Sequence, residues 1–169
     1  MIMKLEVCQF SESDVLIIEK IARDTWPNTF ANILSEEQIE YMLNWMYNPS
    51  LLAKQMNEGH LFFGAKTKDK WLGFIGMEVV SQKDKVQQLK IHKLYVLPDN
   101  QSKGIGFLLM QKAIEVAKNQ NVFSITLNVN RFNKALDFYL RLGMTIEKEE
   151  NIDIGNGFWM EDYVLRLDL

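Results

Sequence analysis

Residues 90–109, KIHKLYVLPDNQSKGIGFLL, restrict the fold of this chain more than any other stretch. Ile91 to Leu97 is mostly apolar, and Tyr95 and Val96 suit an extended backbone. Pro98, Asp99 and Asn100 break that pattern. Gln101-Ser102-Lys103-Gly104-Ile105-Gly106 follows, and helical apolar spacing begins at Phe107. The pattern predicts a strand, a sharp turn, a glycine loop and the first turn of a helix. Such a loop presents several backbone N–H groups at the positive end of a helix dipole, an anion site suited to phosphate. Gly104 and Gly106 let a ligand approach the backbone without a Cβ clash. The Walker A pattern Gly-x-x-x-x-Gly-Lys-Ser/Thr is absent. The dinucleotide fingerprint also fails, because Leu109 stands where its third glycine would fall.

The remaining elements follow from periodicity. Residues 3–10 read as a strand. Ser11 or Ser13 can cap a helix that carries Val15, Ile18, Ile21, Ala22 and Trp26, with Pro27 expected to end it. Residues 25–33 read as an aromatic-bearing loop. Ser35 should cap the next helix with Gln38 at the capping-box position, and residues 49–57 a further short one. At Gly59 the period changes to two. Strands are predicted over 60–66, 71–80 and 86–97, joined by polar turns at 67–70 and 81–85. Gly73 and Gly76 are candidate bulges. A helix over 107–118, a strand over 122–129 and a helix over 131–142 come next, the last closed by Gly143. Strands over 144–149 and 158–167 flank a turn at 151–157. Antiparallel hairpins mixed with helix crossovers predict an α+β or mixed α/β sheet. No repeat or linker divides the chain, so one domain over 1–169 is expected.

The sequence Gln101-x-x-Gly104-x-Gly106, after Leu94-Tyr95-Val96-Leu97-Pro98, resembles the coenzyme A loop of the GNAT family of N-acetyltransferases. A second stretch, NVNRFNKALDFYLRLG over 128–143, is similar to that family's later motif. There an asparagine precedes a short helix carrying Ala and Phe-Tyr and closed by Gly-Phe. Here the residues are Asn133, Ala135, Phe138-Tyr139 and Gly143-Met144, with Met in place of Phe. The order of elements matches over nearly the whole chain. The resemblance implies the acyl-CoA N-acyltransferase fold: a central, mostly antiparallel twisted sheet flanked by helices. It also implies an enzyme that uses acetyl-CoA and acts by direct attack in a ternary complex.

Acetyl transfer needs a neutral amine, an acceptor for its proton, donors for the oxyanion and a proton for the departing thiolate. The resemblance makes Tyr139 the general acid; a phenol's ordinary pKa near 10 is not far from a thiol's, at about 8–9. It implies that the backbone of Leu94, Tyr95 and Val96 pairs with the pantetheine arm as an added strand. Gln101, Ser102, Lys103, Gly104, Ile105 and Gly106 would hold the pyrophosphate. Asn130 and Asn133 would contact the cofactor near the pantetheine, and Lys134 with Arg131 its 3′-phosphate. One position departs from the pattern. Lys90 stands where many members carry a glutamate base. His92 is one substitute, placed by strand alternation on the face of Lys90, Leu94 and Val96. Glu78 on the neighbouring strand, through water, is another, and a water chain without a single base is a third. No metal is expected.

The net charge of -3 argues against a nucleic-acid partner. No N-terminal leader and no apolar run near about 18 residues is seen, so no membrane span is predicted. A single cysteine, Cys8, allows no internal disulfide and fits a reducing cytoplasm. Residues 25–47 should form the acceptor side. They hold Trp26, Phe30, Tyr41, Trp45 and Tyr47 with Glu36, Glu37 and Glu40, a mixture that suits a cationic amine. Thr25-Trp26-Pro27-Asn28-Thr29-Phe30 resembles the PaiA-type polyamine acetyltransferases. A small amine or polyamine is therefore the favoured acceptor. A protein N-terminus or lysine side chain is the alternative. A non-catalytic acyl-CoA sensor is a further one, which Tyr139 opposes and Lys90 favours. The apolar pair Phe158-Trp159 points to a homodimer.

Overall fold

The computed structural model describes residues 4–81 and 87–169. Strand β1 (Glu6–Gln9) leads through a 3-10 turn into α1 (Val15–Phe30), α2 (Glu36–Met46) and α3 (Pro49–Asn57). Strands β2 (Leu61–Lys66), β3 (Trp71–Val80) and β4 (Gln88–Val96) form a meander. Helix α4 (Ile105–Asn119), β5 (Ser124–Asn130), α5 (Ala135–Arg141), β6 (Thr145–Gly155) and β7 (Phe158–Asp168) complete the chain. Met3, most of the predicted 81–85 turn and the expected strand start at Val86 lie outside the described residues.

The seven strands form one sheet in the order β1-β2-β3-β4-β5-β7-β6. Every neighbouring pair is antiparallel except β4 and β5. The mixed α/β sheet expected from the sequence is present. One face packs under α4 and α5, where Leu109, Met110 and Ala113 meet Ile75, Leu89, Ile91 and Leu127. The other packs under α1 to α3, where Ile18, Trp26, Leu43 and Leu52 meet Phe10, Phe62 and Phe74.

Strands β4 and β5 pair over Leu89↔Ile125, Lys90↔Thr126 and Ile91↔Leu127, and then part. A bulge explains the parting. The β3–β4 register passes from Met77↔Ile91 to Gly76↔Lys93, which leaves His92 as the extra residue. A bulge bends its strand and adds twist, and here it carries the end of β4 away from β5. The Leu97 N–H donates to the Leu72 carbonyl of β3 at 2.8 Å. Backbone groups alternate sides along a strand, so those of Leu94 and Val96 face the gap.

Several boundaries depart from expectation. Helix α1 runs through Pro27 to Phe30 rather than ending at the proline. Pro27 removes one N–H, whereas continuing the helix buries Trp26 and Phe30. Helix α5 begins at Ala135, not Arg131. The Asn130 Oδ1 takes the Phe132 N–H at 3.0 Å and the Asn133 Oδ1 takes the Ala135 N–H at 2.9 Å. These two local turns hold 130–134 out of the helix. Strand β6 consumes most of the expected 151–157 turn. Asn156 and Gly157, with φ of 54° and 77°, make the tight hairpin instead. The capping box of α2 forms only in part: Ser35 Oγ accepts from the Gln38 N–H at 3.1 Å, but Gln38 Nε2 donates to the Trp159 carbonyl at 2.9 Å. The bulge expected at Gly76 lies across from it, on β4. A second irregularity, between Ala65 and Lys66 of β2, leaves Leu72 beside Gly73 as the extra residue on β3. A Cβ on Gly73 would lie 2.6 Å from the Tyr95 carbonyl oxygen, so glycine is needed there for close strand approach.

Candidate active site

The gap between β4 and β5 opens into a cavity of about 1480 Å³. The glycine loop stands at one end. Gly104 caps α4 with φ 81°, a left-handed conformation that glycine adopts without penalty. Among the described residues, the N–H groups from Ser102 to Phe107 donate to no protein acceptor; Leu108 is the first to do so, to the Gly104 carbonyl at 3.0 Å. These free donors at a helix N-terminus fit a phosphate group.

The loop's side chains behave differently from its backbone. Lys103 Nζ donates to the Asp99 carbonyl at 2.7 Å and does not line the cavity, so its backbone N–H, not its ammonium, is what the loop offers here. Gln101 Nε2 donates to the Val96 carbonyl at 3.1 Å. It ties the loop to β4 and occupies one of the backbone groups expected to pair with the pantetheine. The Ile105 side chain is in the core, so only its N–H is offered. Leu94 keeps both backbone groups open in the gap. The Asn130 and Asn133 carbonyl oxygens serve the local turns described above, which leaves their amide nitrogens. Both residues and Lys134 line the cavity.

The bulge also decides which side chains share the other wall. It sets His92 and Lys93 consecutively toward the α1–α3 side, together with Lys90. Leu94 and Val96 pack on the α4 side. Strict alternation had grouped His92 with Leu94 and Val96, and the extra residue breaks that grouping. His92 Nε2 lies 2.8 Å from Glu78 Oε1, and His60 Nε2 lies 3.2 Å from Glu78 Oε2. The imidazole rings stack with centroids 5.3 Å apart. Burial lowers the pKa of both histidines from its ordinary range, and Glu78 opposes the shift. A neutral His92 held by a carboxylate is a competent proton acceptor.

Tyr139 is 6% exposed and lines the cavity. Burial raises its phenol well above the ordinary range, so the hydroxyl keeps its proton. Tyr95 is raised as well, by burial and then by Tyr47 and Tyr139 nearby. Tyr47 is fully buried and accepts from Trp26 Nε1 at 3.3 Å, which makes it core rather than acceptor wall. Tyr41 donates to the Ile154 carbonyl at 2.8 Å. Trp26, Phe30 and Trp45 do line the cavity, but Glu36, Glu37 and Glu40 do not. Phe158 packs on Tyr41 at 5.4 Å within the chain, so of the apolar pair expected at a dimer contact Trp159 alone stays largely exposed, at 52%.

Sequence reasoning missed His60, Lys93, Asn128, Glu150 and Asp162. Lys90 donates to Asn128 Oδ1. Asn128 Nδ2 donates in turn to Glu150 Oε2 at 3.0 Å and to Asp162 Oδ2 at 3.3 Å. The one available signal was the adjacent charged pair Glu161-Asp162, flanked by apolar residues on both sides in the last strand.

A description of the acetyltransferase (GNAT) domain matches residues 30–167, and the chain belongs to this family of acetyl-CoA-dependent N-acetyltransferases. Its similarities narrow the setting. The spermidine N(1)-acetyltransferase of Thermoplasma acidophilum is 28% identical over 157 residues, covering 89% of this chain and 94% of that one. The crystal structure of the PaiA N-acetyltransferase from Thermoplasma acidophilum in complex with coenzyme A superposes with a TM-score of 0.82 at 26% identity, over 99% and 100% of the two chains. A GNAT structure from Rhodopseudomonas palustris reaches a TM-score of 0.82 at 20% identity, over 100% and 99%, and shares the fold. No helix among the described residues is long and apolar enough to cross a membrane.

Proposed function

We propose that the chain acetylates a primary amine of a small amine or polyamine, the amine attacking the thioester carbon of acetyl-CoA directly. The observation that carries this reading is the convergence on one cavity of four parts: the open edge of β4, the N–H-rich loop, Tyr139 and the His92–Glu78 pair. The backbone from Ser102 to Gly106 holds the pyrophosphate. The Leu94 N–H and C=O and the Val96 N–H receive the pantetheine arm, and the amide nitrogens of Asn130 and Asn133 with Lys134 line its further course. His92, hydrogen-bonded to Glu78, takes the amine proton as the N–C bond forms. The C–S bond breaks toward Tyr139. Burial keeps the phenol protonated, and the same buried setting raises the basicity of the departing thiolate. Tyr139 therefore donates a hydrogen bond to the leaving sulfur and passes it the proton as general acid, and solvent reprotonates the phenol after release.

The small-amine acceptor is supported by the similarity to the spermidine enzyme over nearly its whole length and by the aromatic wall of Trp26, Phe30 and Trp45. The test is free-thiol release from acetyl-CoA with spermidine, spermine, lysine and short peptides. Polyamines should turn over fastest, and Tyr139→Phe should lower kcat roughly 10- to 100-fold. Preference for peptides would move the acceptor to proteins. Coenzyme A binding without release toward any amine would favour the sensor reading.

A further inference from the structure

Among the described residues, Asp162 on β7 is the one carboxylate that lines the cavity. It is 2% exposed and lines the cavity wall. Its hydrogen bond from Asn128, at 3.3 Å, is long. An ionised carboxylate can accept about four such bonds. Among the described residues, no lysine, arginine or histidine nitrogen lies within 4.0 Å of it. Two other carboxylates are served differently. Glu150 has Lys148 at 2.7 Å, and Glu78 has two imidazoles. A buried carboxylate without a counter-ion is costly, and proteins keep one where a ligand supplies the charge.

The surrounding network fixes Asp162 and brings the Lys90 charge near it without placing a cation in contact with it. Lys90 occupies the Asn128 oxygen, which forces the Asn128 amide nitrogen toward Glu150 and Asp162. This accounts for lysine at position 90: it orients Asn128 in place of acting on the acceptor. Burial raises the Asp162 pKa, and the Asn128 bond opposes the shift, as do the charges of Lys90 and Arg131 beyond contact distance. Two residues earlier, on the same face of β7, Met160 lines the cavity and offers an apolar surface for a hydrocarbon spacer.

We propose that Asp162, held in place by Asn128 and Lys90, binds a second ammonium group of the acceptor, so that the site selects di- and polyamines over monoamines. The inference rests on the amine-acetylation reading and extends it to the acceptor's chemical class. Its test uses the full chain saturated with coenzyme A for binding, and acetyl-CoA for turnover. Titration calorimetry compares 1,4-diaminobutane with butylamine, and thiol release gives kcat/KM for each. In the wild type the diamine should bind and react better. In Asp162→Asn the diamine-to-monoamine ratio of kcat/KM should fall by about tenfold or more, mainly through KM, and Asp162→Glu should recover part of it. Melting temperature and coenzyme A affinity verify that both variants fold. An unchanged ratio, equal loss for both amines, or no diamine binding by the wild type would overturn the proposal. Diamine binding that depends on Asp162 without thiol release would sink the acetylation reading and leave the cation site standing.

Discussion

Replacing Lys93 by methionine should stabilise the protein at neutral pH and remove a rise in stability above it. Lys93 is 4% exposed. Its ammonium lies 5.6 Å from the Tyr47 ring centroid and 5.9 Å from that of Phe62, with Gln55 Oε1 at 3.5 Å. Burial pulls its pKa from 10.5 down to about 8, and Glu78 opposes the shift. A folded pKa below the unfolded one means that the unfolded state binds more protons between those two values. Stability must then rise with pH across that window. At roughly 1.4 kcal/mol per pH unit, the buried charge costs about 3 kcal/mol near pH 7, and about 2 kcal/mol of this is recovered by about pH 9.5. Methionine has similar length and no charge, so it removes both effects. Urea unfolding of wild type and variant at about pH 7 and about pH 9.5 reads the difference directly. The wild type should gain about 2 kcal/mol more than the variant between the two conditions. A difference between them that does not change with pH, or a variant less stable at neutral pH, would refute the reasoning.

Three further outcomes follow from the site. The acid limb of the kcat/KM profile should lie below the ordinary histidine range, because burial lowers His92 despite Glu78. Activity is lost as pH falls through that value. In His92→Gln the rate should drop by roughly 100-fold and the limb should vanish, and a retained limb would point to another base. Lys103→Ala should leave coenzyme A affinity within about twofold, since a surface ammonium folded onto the Asp99 carbonyl contributes little; isothermal titration would show a larger loss if it met the phosphates. Gly104→Ala should lower stability by about 1 kcal/mol through its φ of 81° alone, because a Cβ there meets nothing within 4 Å, and an unchanged melting temperature would contradict this.

The legible parts of this chain were local ones. The run from Ile91 to Gly106 announces strand, turn and N–H-rich loop because glycine, proline and periodicity act over a few residues. Ser35 and Gly143 mark helix ends for the same reason. What escaped was set by contacts distant in sequence. Pro27 reads as a stop, yet burial of Trp26 and Phe30 keeps the helix going. The extra residue at His92 reverses the face of Lys93, and no local signal tells which strand of a pair will bulge. His60 and Asp162 join the cavity through tertiary approach, 18 and 84 residues from Glu78 (78 − 60 and 162 − 78), so their chemistry could not be read from spacing. The loop position of Lys103 is legible, but where its ammonium goes is not, because a lysine stem is long enough to fold onto its own turn.

Three residue pairs join β4 to β5 at the middle of the sheet. The chain is thus two hydrogen-bonded ribbons, β1 to β4 and β5 to β7, hinged at one end. On the proposed binding mode, an extended ligand lying in the gap would serve as a removable strand. Amide exchange at Leu94 and Val96 should therefore be fast in the free protein and slow once the gap is filled. A ligand at about 100 times its Kd adds about 2.7 kcal/mol to stability. In this architecture that increment should be concentrated in the amides that border the gap, so that the donor mends the sheet each time it binds and each product release opens it again.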